Sequence, residues 1–434
     1  MMSHMCLQKL FCLFIAWGLA LGASFNVRAA NADEPPLVEL SLKQAYQLAL
    51  ERSETVAIQA QVIKEAEGRF YERMSVFMPK VAFVDTEKHQ GEGSRSSDTA
   101  NLTYIPQREF TFTQPLFSGF KEFAMGASKA EKKQRRLQLA RAKQLLFTDV
   151  ADAFYLLKSY QEDMAALEGI NKALQDYSAE LVRRQKLGRS RNSEVGSAQA
   201  RLFQNEALTA SVRSQLQIAR QLMEFLVGQK IASLANEDLV IAEVSSLETY
   251  TVKASLRPDV QAAEAAWEAA RKNIIIARAG YFPNVDLVAN RYVKRVGASS
   301  GVNWDATINI NVPIFDGGEA YGLTKQAKAQ AEEARLQYSL TKRQAQLEIE
   351  NAYTRLIENQ NQTSAYKKAV DAAQENYEAQ TSDYKNSLVS NLEVLQSLQD
   401  LDTIRRSYVA IKAQAQQAYW ALKVATGDIS DDAF

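Results

Sequence analysis

The residue types that most often perform chemistry in proteins are scarce in this sequence of 434 residues. Cys6 and Cys12 are the two cysteines, and His4 and His89 are the two histidines. Only His89 lies beyond the first twelve positions, so the remaining chain offers no thiol nucleophile and no histidine-cysteine metal site. The 51 basic residues balance the 51 acidic ones, whereas nucleic-acid-binding proteins usually carry a basic surface. We therefore expect neither an enzyme nor a nucleic-acid-binding protein, and no metal or cofactor.

The first 32 residues have the pattern of a secretory signal peptide. A short, weakly basic start precedes an apolar run at 10–22 that is too short to span a bilayer. Ala-Asn-Ala at 30–32 offers a cleavage site, and Val-Arg-Ala at 27–29 offers a second one. No later stretch has the roughly 18 consecutive apolar residues of a membrane-spanning helix. We expect export across the inner membrane, and any further membrane passage would use strands.

Two long segments have the composition of uninterrupted helices. They are free of proline, which would break a helix interior, and we predict helices at about 119–186 and about 319–386. Each would be roughly 100 Å long at 1.5 Å per residue. In the second helix, mostly small residues recur at spacings of three and four, as in a coiled-coil seam. The seam comprises Ala327, Ala331, Ala334, Tyr338, Thr341 and Ala345. Rods of this length require an extended architecture.

Two shorter segments have the pattern of β-hairpins. Within 284–312, polar and apolar residues alternate along the return strand, which predicts one polar and one apolar face. An earlier hairpin is predicted at about 80–113, although Pro106 interrupts its second strand. The fold class is therefore mainly α with two embedded β-hairpins.

The chain is an internal duplication. Pro-Leu-Phe-Ser-Gly at 115–119 corresponds to Pro-Ile-Phe-Asp-Gly at 313–317, after each hairpin. Further on, Asn-x-Glu-Val occurs at 192–195 and again at 391–394. Because order and spacing agree, we predict two structural repeats, each with a helix, a hairpin, a long helix and a final helix.

These correspondences predict the domain boundaries. The first repeat covers 33–228, a linker covers 229–255, the second repeat covers 256–427 and a tail covers 428–434. One chain supplies four strands, which are too few for a closed transmembrane barrel. The chain must therefore associate if the hairpins enter a membrane; two copies would give eight strands and three would give twelve.

The ordered set of features resembles the TolC-type outer-membrane efflux family over approximately 41–427. It consists of the signal peptide, Leu-Ser-Leu-x-x-Ala at 40–45, the two Pro-[Leu/Ile]-Phe-[Ser/Asp]-Gly corners and the duplication. The resemblance implies a homotrimer that forms a 12-stranded barrel in the outer membrane, continued by a long α-helical periplasmic barrel. It implies the channel of a tripartite efflux or type I secretion system in a Gram-negative-type bacterium. Its partners would be outer-membrane lipid, a periplasmic adaptor protein and an inner-membrane transporter of RND, ABC or MFS type.

The resemblance also assigns a gating latch. The turns near 187–191 and 386–390 would lie at the periplasmic tip. Tyr384 and Glu194 occupy positions where the family has an inter-helix hydrogen bond that holds the tip closed, and a bond to an ionised carboxylate is a strong one. Val389 stands where some members have a gating arginine, so this latch has fewer links. The alternative is that Tyr384 packs and Glu194 is solvated.

The resemblance further assigns a constriction at the tip. Glu393 occupies an acidic position that lines it, and three copies would form a ring that favours cations. The alternative is an ordinary solvated helix residue. Gln396 stands where a second acidic ring is expected, so the entrance should be less negative. Gly188 keeps the glycine of the first tip turn, whereas Ser387 replaces it in the second.

A soluble periplasmic coiled-coil adaptor or scaffold is the alternative class. It would also explain export, long polar helices and the lack of catalytic groups. Such a protein has no need for two corresponding hairpins, and the apolar face at 304–312 discriminates the two classes. The substrate cannot be deduced from these residues.

Overall fold

The computed structural model describes most of the chain beyond the predicted signal peptide. The described residues are 39–92, 101–119, 123–235, 241, 244–296, 300–386 and 388–429. The predicted signal peptide and Ser387 lie outside them. None of the described helices combines the length and apolar character needed to cross a bilayer.

The described residues of the first half form four helices. α1 (Leu42–Arg52) and α2 (Glu54–Met74) precede the first hairpin, and α3 (Phe123–Lys186) and α4 (Asn192–Val227) follow it. Ser41 starts α1 through a reciprocal capping box with Gln44. α3 is about 96 Å long at 1.5 Å per residue, and α4 folds back along it. The first half is therefore dominated by one long helix hairpin.

The second half repeats this order. α5 (Leu247–Thr251) and a 3₁₀ turn lead into α6 (Pro258–Ala277), and the long helices are α7 (Glu319–Lys385) and α8 (Asn391–Ala425). Within α7 the small seam residues face inward, since Ala327, Ala331 and Ala345 are all buried. The predicted seam therefore lies on the packed side of the helix.

Four strands form one antiparallel sheet. Two further strands of two residues each, β1 (Glu39–Leu40) and β4 (Ser233–Leu234), pair with each other in a separate parallel sheet. The antiparallel sheet has the order β2-β3-β5-β6, and β2 and β6 are its edges. Its strands are β2 (Lys80–Glu92), β3 (Asn101–Ser118), β5 (Asn284–Arg295) and β6 (Trp304–Asn311). The two hairpins thus join directly through β3 and β5.

β3 is longer than the sequence pattern indicates. Pro106 lies inside it, opposite Glu87 of β2. The ladder with β5 begins only at Gln107, so the missing N–H of proline leaves no β5 partner unsatisfied. The proline interrupts the sequence pattern but not the strand.

The sheet has one apolar and one polar face. Phe83 and Phe110 pair across β2 and β3, with ring centroids 5.1 Å apart. The large exposed apolar residues on this face are Val81, Phe83, Phe110, Phe112, Trp304, Ile308 and Ile310. The opposite face carries Thr111, Asn290 and Asp305, and Asn290 donates to the Asp305 carboxylate at 2.9 Å. The alternation predicted for the second hairpin is therefore present in both hairpins.

The main apolar core lies where α1, α3, α4 and α8 meet. The Phe147 ring is fully buried and lies edge-on to Tyr46 and Trp420, at 5.1 Å from each. Trp420 also donates its indole N–H to the Tyr155 hydroxyl at 3.1 Å. This core ties the two long hairpins together away from their tips.

A buried arginine with two carboxylate partners holds the end of α8 that is remote from the tip. Arg257 is 1% exposed and makes two hydrogen bonds to Asp259, of 3.0 and 2.6 Å. It also lies 2.8 Å from Glu348 of α7 and donates to the Ala425 carbonyl at 3.4 Å. A cation at these carbonyls is stabilised by the helix dipole. α8 is therefore anchored at its carboxyl end.

Candidate functional site

The first tip turn ends α3 with a left-handed glycine. Gly188 has a φ of 69°, a conformation that glycine adopts without the strain of a Cβ atom. Its N–H donates to the Gln185 carbonyl at 2.9 Å, and the Arg189 N–H donates to the Arg184 carbonyl at 2.8 Å. These two bonds form a Schellman motif.

The second tip turn closes with an equivalent hydrogen bond. The Leu388 N–H donates to the Asp383 carbonyl at 2.9 Å. Ser387, which the sequence places at the position of Gly188, lies outside the described residues. The consequence of that exchange stays a prediction.

Glu194 and Glu393 begin the helices that follow the two turns. The Glu194 carboxylate accepts from the Ser190 hydroxyl at 2.6 Å and from the Arg191 N–H at 3.1 Å. The Glu393 carboxylate accepts from the Ser390 N–H at 2.6 Å. These hydrogen bonds hold the pKa of each carboxyl below its usual range. Both residues therefore serve as helix N-terminal caps.

The other predicted constriction residue is exposed beside Glu393. Gln396 donates through its amide to the Asp400 carboxylate at 2.9 Å, one turn further along α8. Glu393 is also exposed. Both side chains are therefore accessible in one chain, and their arrangement in a ring stays a prediction.

Tyr384 lies at the end of α7 between groups of the first hairpin. The Arg184 guanidinium carbon is 5.1 Å from the centroid of its ring. The Tyr177 ring lies edge-on to it at 5.9 Å. Within the described part of the chain, the Glu194 side chain is bonded to its own turn and not to Tyr384. The direct Tyr384-Glu194 latch stays a prediction for the assembled protein.

Two residues that the sequence did not single out as site residues connect the hairpins. The Tyr177 hydroxyl of α3 donates to the Asn391 side-chain oxygen at 2.5 Å. The Asn391 amide in turn donates to the Glu194 carbonyl at 3.3 Å. Burial, the neighbouring Tyr384 hydroxyl and the Glu194 carboxylate raise the pKa of Tyr177. Its hydroxyl is therefore a donor at any physiological pH.

A small apolar cluster supports this site. It joins α3, α4 and α8 directly above the turns. Its buried members are Ile170, Leu174, Leu181, Val195, Ala198, Leu395 and Leu398. The cluster shields one side of the Tyr177-Asn391 contact from water. Across the described ranges, no group of three or more acidic, histidine or cysteine side chains is placed to hold a metal ion.

A sheet with an exposed apolar face, continued by two long helix hairpins, defines a class of outer-membrane proteins with helical extensions. The family model described as "Outer membrane efflux protein" matches residues 45–229 and 253–428. The chain belongs to this family. The predicted family, the mainly helical fold with hairpins and the location in the outer membrane, extending into the periplasm, are thereby confirmed.

The chain is similar to curated efflux proteins of Pseudomonas putida. The toluene efflux pump outer membrane protein TtgC is 27% identical over 302 residues, which cover 64% of this chain and 59% of TtgC. The probable efflux pump outer membrane protein SepC is 32% identical over 210 residues, covering 44% of this chain and 41% of SepC. The matched segments thus span less than two thirds of these relatives.

Solved structures share the fold. VceC of Vibrio cholerae has a TM-score of 0.79 at 22% identity, covering 89% of this chain and 96% of VceC. The open state of MtrE of Neisseria gonorrhoeae has a TM-score of 0.76 at 19% identity, covering 89% of this chain and 88% of MtrE. At these identities the likeness concerns the architecture.

Proposed function

We propose that three copies of this chain form an outer-membrane channel that passively conducts substrates from an inner-membrane transporter to the outside. The observation that carries the proposal is the four-stranded sheet with two unpaired edges and an exposed apolar face. In a membrane, unpaired strand edges are costly, so the strands of several copies must close on one another. Three copies supply twelve strands, and the long helices continue the conduit into the periplasm.

The partners belong to this proposal. A periplasmic adaptor would dock at the helix tips, and an RND, ABC or MFS transporter would supply the energy. An adaptor can open the tip only through its higher affinity for the open state. Several relatives are named for toluene, solvent or antibiotic efflux, which favours small-molecule efflux over type I secretion.

The predicted tip residues have defined roles in this scheme. Tyr384 and Glu194 would form the latch in the assembled trimer, and Glu393 would supply one carboxylate per copy to a constriction. Gln396 would leave the entrance less negative than two acidic rings. No catalytic step, metal or cofactor is required.

The first test is membrane fractionation followed by mass determination of the detergent-extracted particle. We expect a particle of three chains in the outer-membrane fraction that conducts ions in a planar bilayer. A soluble periplasmic monomer or dimer would contradict the channel and leave the adaptor or scaffold class. If the particle conducts, Glu194→Ala or Tyr384→Phe should raise its conductance, and unchanged conductance in both would remove that latch.

A further inference from the structure

We propose that Tyr177 and Asn391 form the clasp that holds the tip of each subunit closed. The proposal rests on the proposed channel function. The Tyr177 hydroxyl donates to Asn391 at 2.5 Å, and Asn391 donates to the Glu194 carbonyl at 3.3 Å. One side chain of the second hairpin is thus bonded to both helices of the first. Any motion that separates the hairpins at the tip must break both bonds.

The burial of Asn391 makes this contact specific. Its side chain is 4% exposed, although it is the first residue of α8 beside an exposed turn. A buried polar group that loses its partner is strongly destabilising, so the packing in this structure admits few other arrangements of the amide. When the hairpins separate, water can solvate both partners. The clasp therefore stabilises the closed state without blocking the open one.

The next hydrogen bond that α8 itself makes to the first hairpin lies far along the helix. Among the described hydrogen bonds, it is the ion pair of Arg406 with Asp163 of α3, at 2.7 and 3.1 Å. It is 15 residues beyond Asn391, roughly 22 Å at 1.5 Å per residue. Between the two links, α8 contacts the first hairpin through apolar residues such as Leu395 and Leu398. Non-directional contacts of this kind allow sliding, so the clasp fixes the start of α8. At the end of α7, the contact of Arg184 with the Tyr384 ring at 5.1 Å is a second link between the hairpins.

The duplication supplies a matched control. Asn192 occupies the position in the first repeat that Asn391 occupies in the second. Asn192 is exposed, and its side chain accepts from Gln185 within its own turn. The same substitution at the two positions therefore removes a link between hairpins in one case and a local contact in the other.

The test is the closed-state conductance of the purified particle in a planar bilayer. Tyr177→Phe removes one hydroxyl and should raise the open fraction about fivefold, the effect of one hydrogen bond. Asn391→Ala removes both bonds and should raise it about twentyfold or more. Asn192→Ala should leave it unchanged. The oligomer mass and melting temperature of each variant show whether it is folded.

The outcomes separate the clasp from the channel. If neither the wild-type protein nor any of these variants forms a conducting particle, the proposed function fails and the clasp fails with it. If wild type conducts but Tyr177→Phe and Asn391→Ala are both folded and unchanged, the clasp alone is wrong. Equal effects of Asn391→Ala and Asn192→Ala would also contradict it, since the inter-hairpin bond would then have no special role.

Chemical locking gives an independent readout. Both native cysteines lie in the predicted signal peptide, so Tyr177→Cys combined with Asn391→Cys would provide the two reactive thiols. A short reducible linker that joins two thiols should hold the conductance at its closed level, and reduction should release it to the level of the unlinked double variant. Linked particles that conduct like unlinked ones would overturn the proposal.

Discussion

The two tip turns share their sequence pattern but differ in what their asparagines contact. Asn192 is exposed and bonded within its own hairpin, whereas Asn391 is buried and bonded to Tyr177 and Glu194 of the other hairpin. The acidic residues two positions later cap their helices in the same way in both turns. The comparison shows that the duplicated pattern sets the local turn, while the neighbouring hairpin decides which copy becomes a link.

The far ends of the repeats differ even more, and this gives the largest expected effect. Arg257 corresponds in the duplication to Ser53, whose hydroxyl accepts from the Val56 N–H at the start of α2. Arg257→Met should destabilise the fold by about 3 kcal/mol, because the two charge-assisted hydrogen bonds to Asp259 are lost. Ser53→Ala should cost about 1 kcal/mol, as for other N-caps.

Denaturant unfolding of both variants in detergent would measure this difference. Similar effects of Arg257→Met and Ser53→Ala would show that the buried arginine contributes no more than an ordinary cap. The two repeats would then differ energetically at their tip turns and not at the far ends of their helices.

Gly188 provides a smaller test of the first tip turn. Gly188→Ala should destabilise by about 1 kcal/mol, because its φ is positive although a Cβ atom there meets nothing within 4 Å. Gly169→Ala, inside α3 and equally unobstructed, should instead stabilise by about 0.5 kcal/mol. Thermal melting of both variants checks the signs. A stabilised Gly188→Ala protein would contradict the left-handed turn.

The smallest expected effect concerns the two acidic caps. Since hydrogen bonds lower the pKa of Glu194 and Glu393 from 4.5, their stabilising effect is complete above that value and is lost as the pH falls through the lowered pKa. Amide exchange at the starts of α4 and α8 should therefore become faster relative to the rest of each helix in acid. Glu194→Gln with Glu393→Gln should remove this pH dependence; its persistence in that variant would assign it to other groups.

The fold was largely predictable because its signals are local. The proline-free segments, the alternating strands and the corners that follow each hairpin depend on neighbouring residues. Glu194 and Glu393 were singled out through the family resemblance, as latch and constriction residues. Their capping role also has a local signal, since an acid at the third helical position is typical of a capping box. Pro106 led us to predict an interrupted second strand in the first hairpin. A strand tolerates a proline where no neighbouring strand needs its N–H, and here the pairing of β3 with β5 begins only at Gln107.

The clasp could not be found in this way. Tyr177 and Asn391 are far apart in sequence, and Asn391 shares the Asn-x-Glu-Val pattern with the exposed Asn192. The packing of α8 against α3 distinguishes them. The sequence showed that Asn-x-Glu-Val is repeated, and it has Leu395 and Leu398 after Asn391 where Gly196 and Gln199 follow Asn192. This apolar pair is a signal for packing of α8, but it does not identify Tyr177 as the partner.

The strand order limits the symmetry that any assembly of this chain can have. The free edges of the sheet are β2, from the first half of the chain, and β6, from the second. A ring closes when β6 of one copy pairs with β2 of the next, which is a heterologous contact. Because each copy contributes an even number of alternating strands, every such junction is antiparallel. The long helices then all extend from the same side of the ring, so the assembly is polar, and one mouth is extended by about 100 Å of helix.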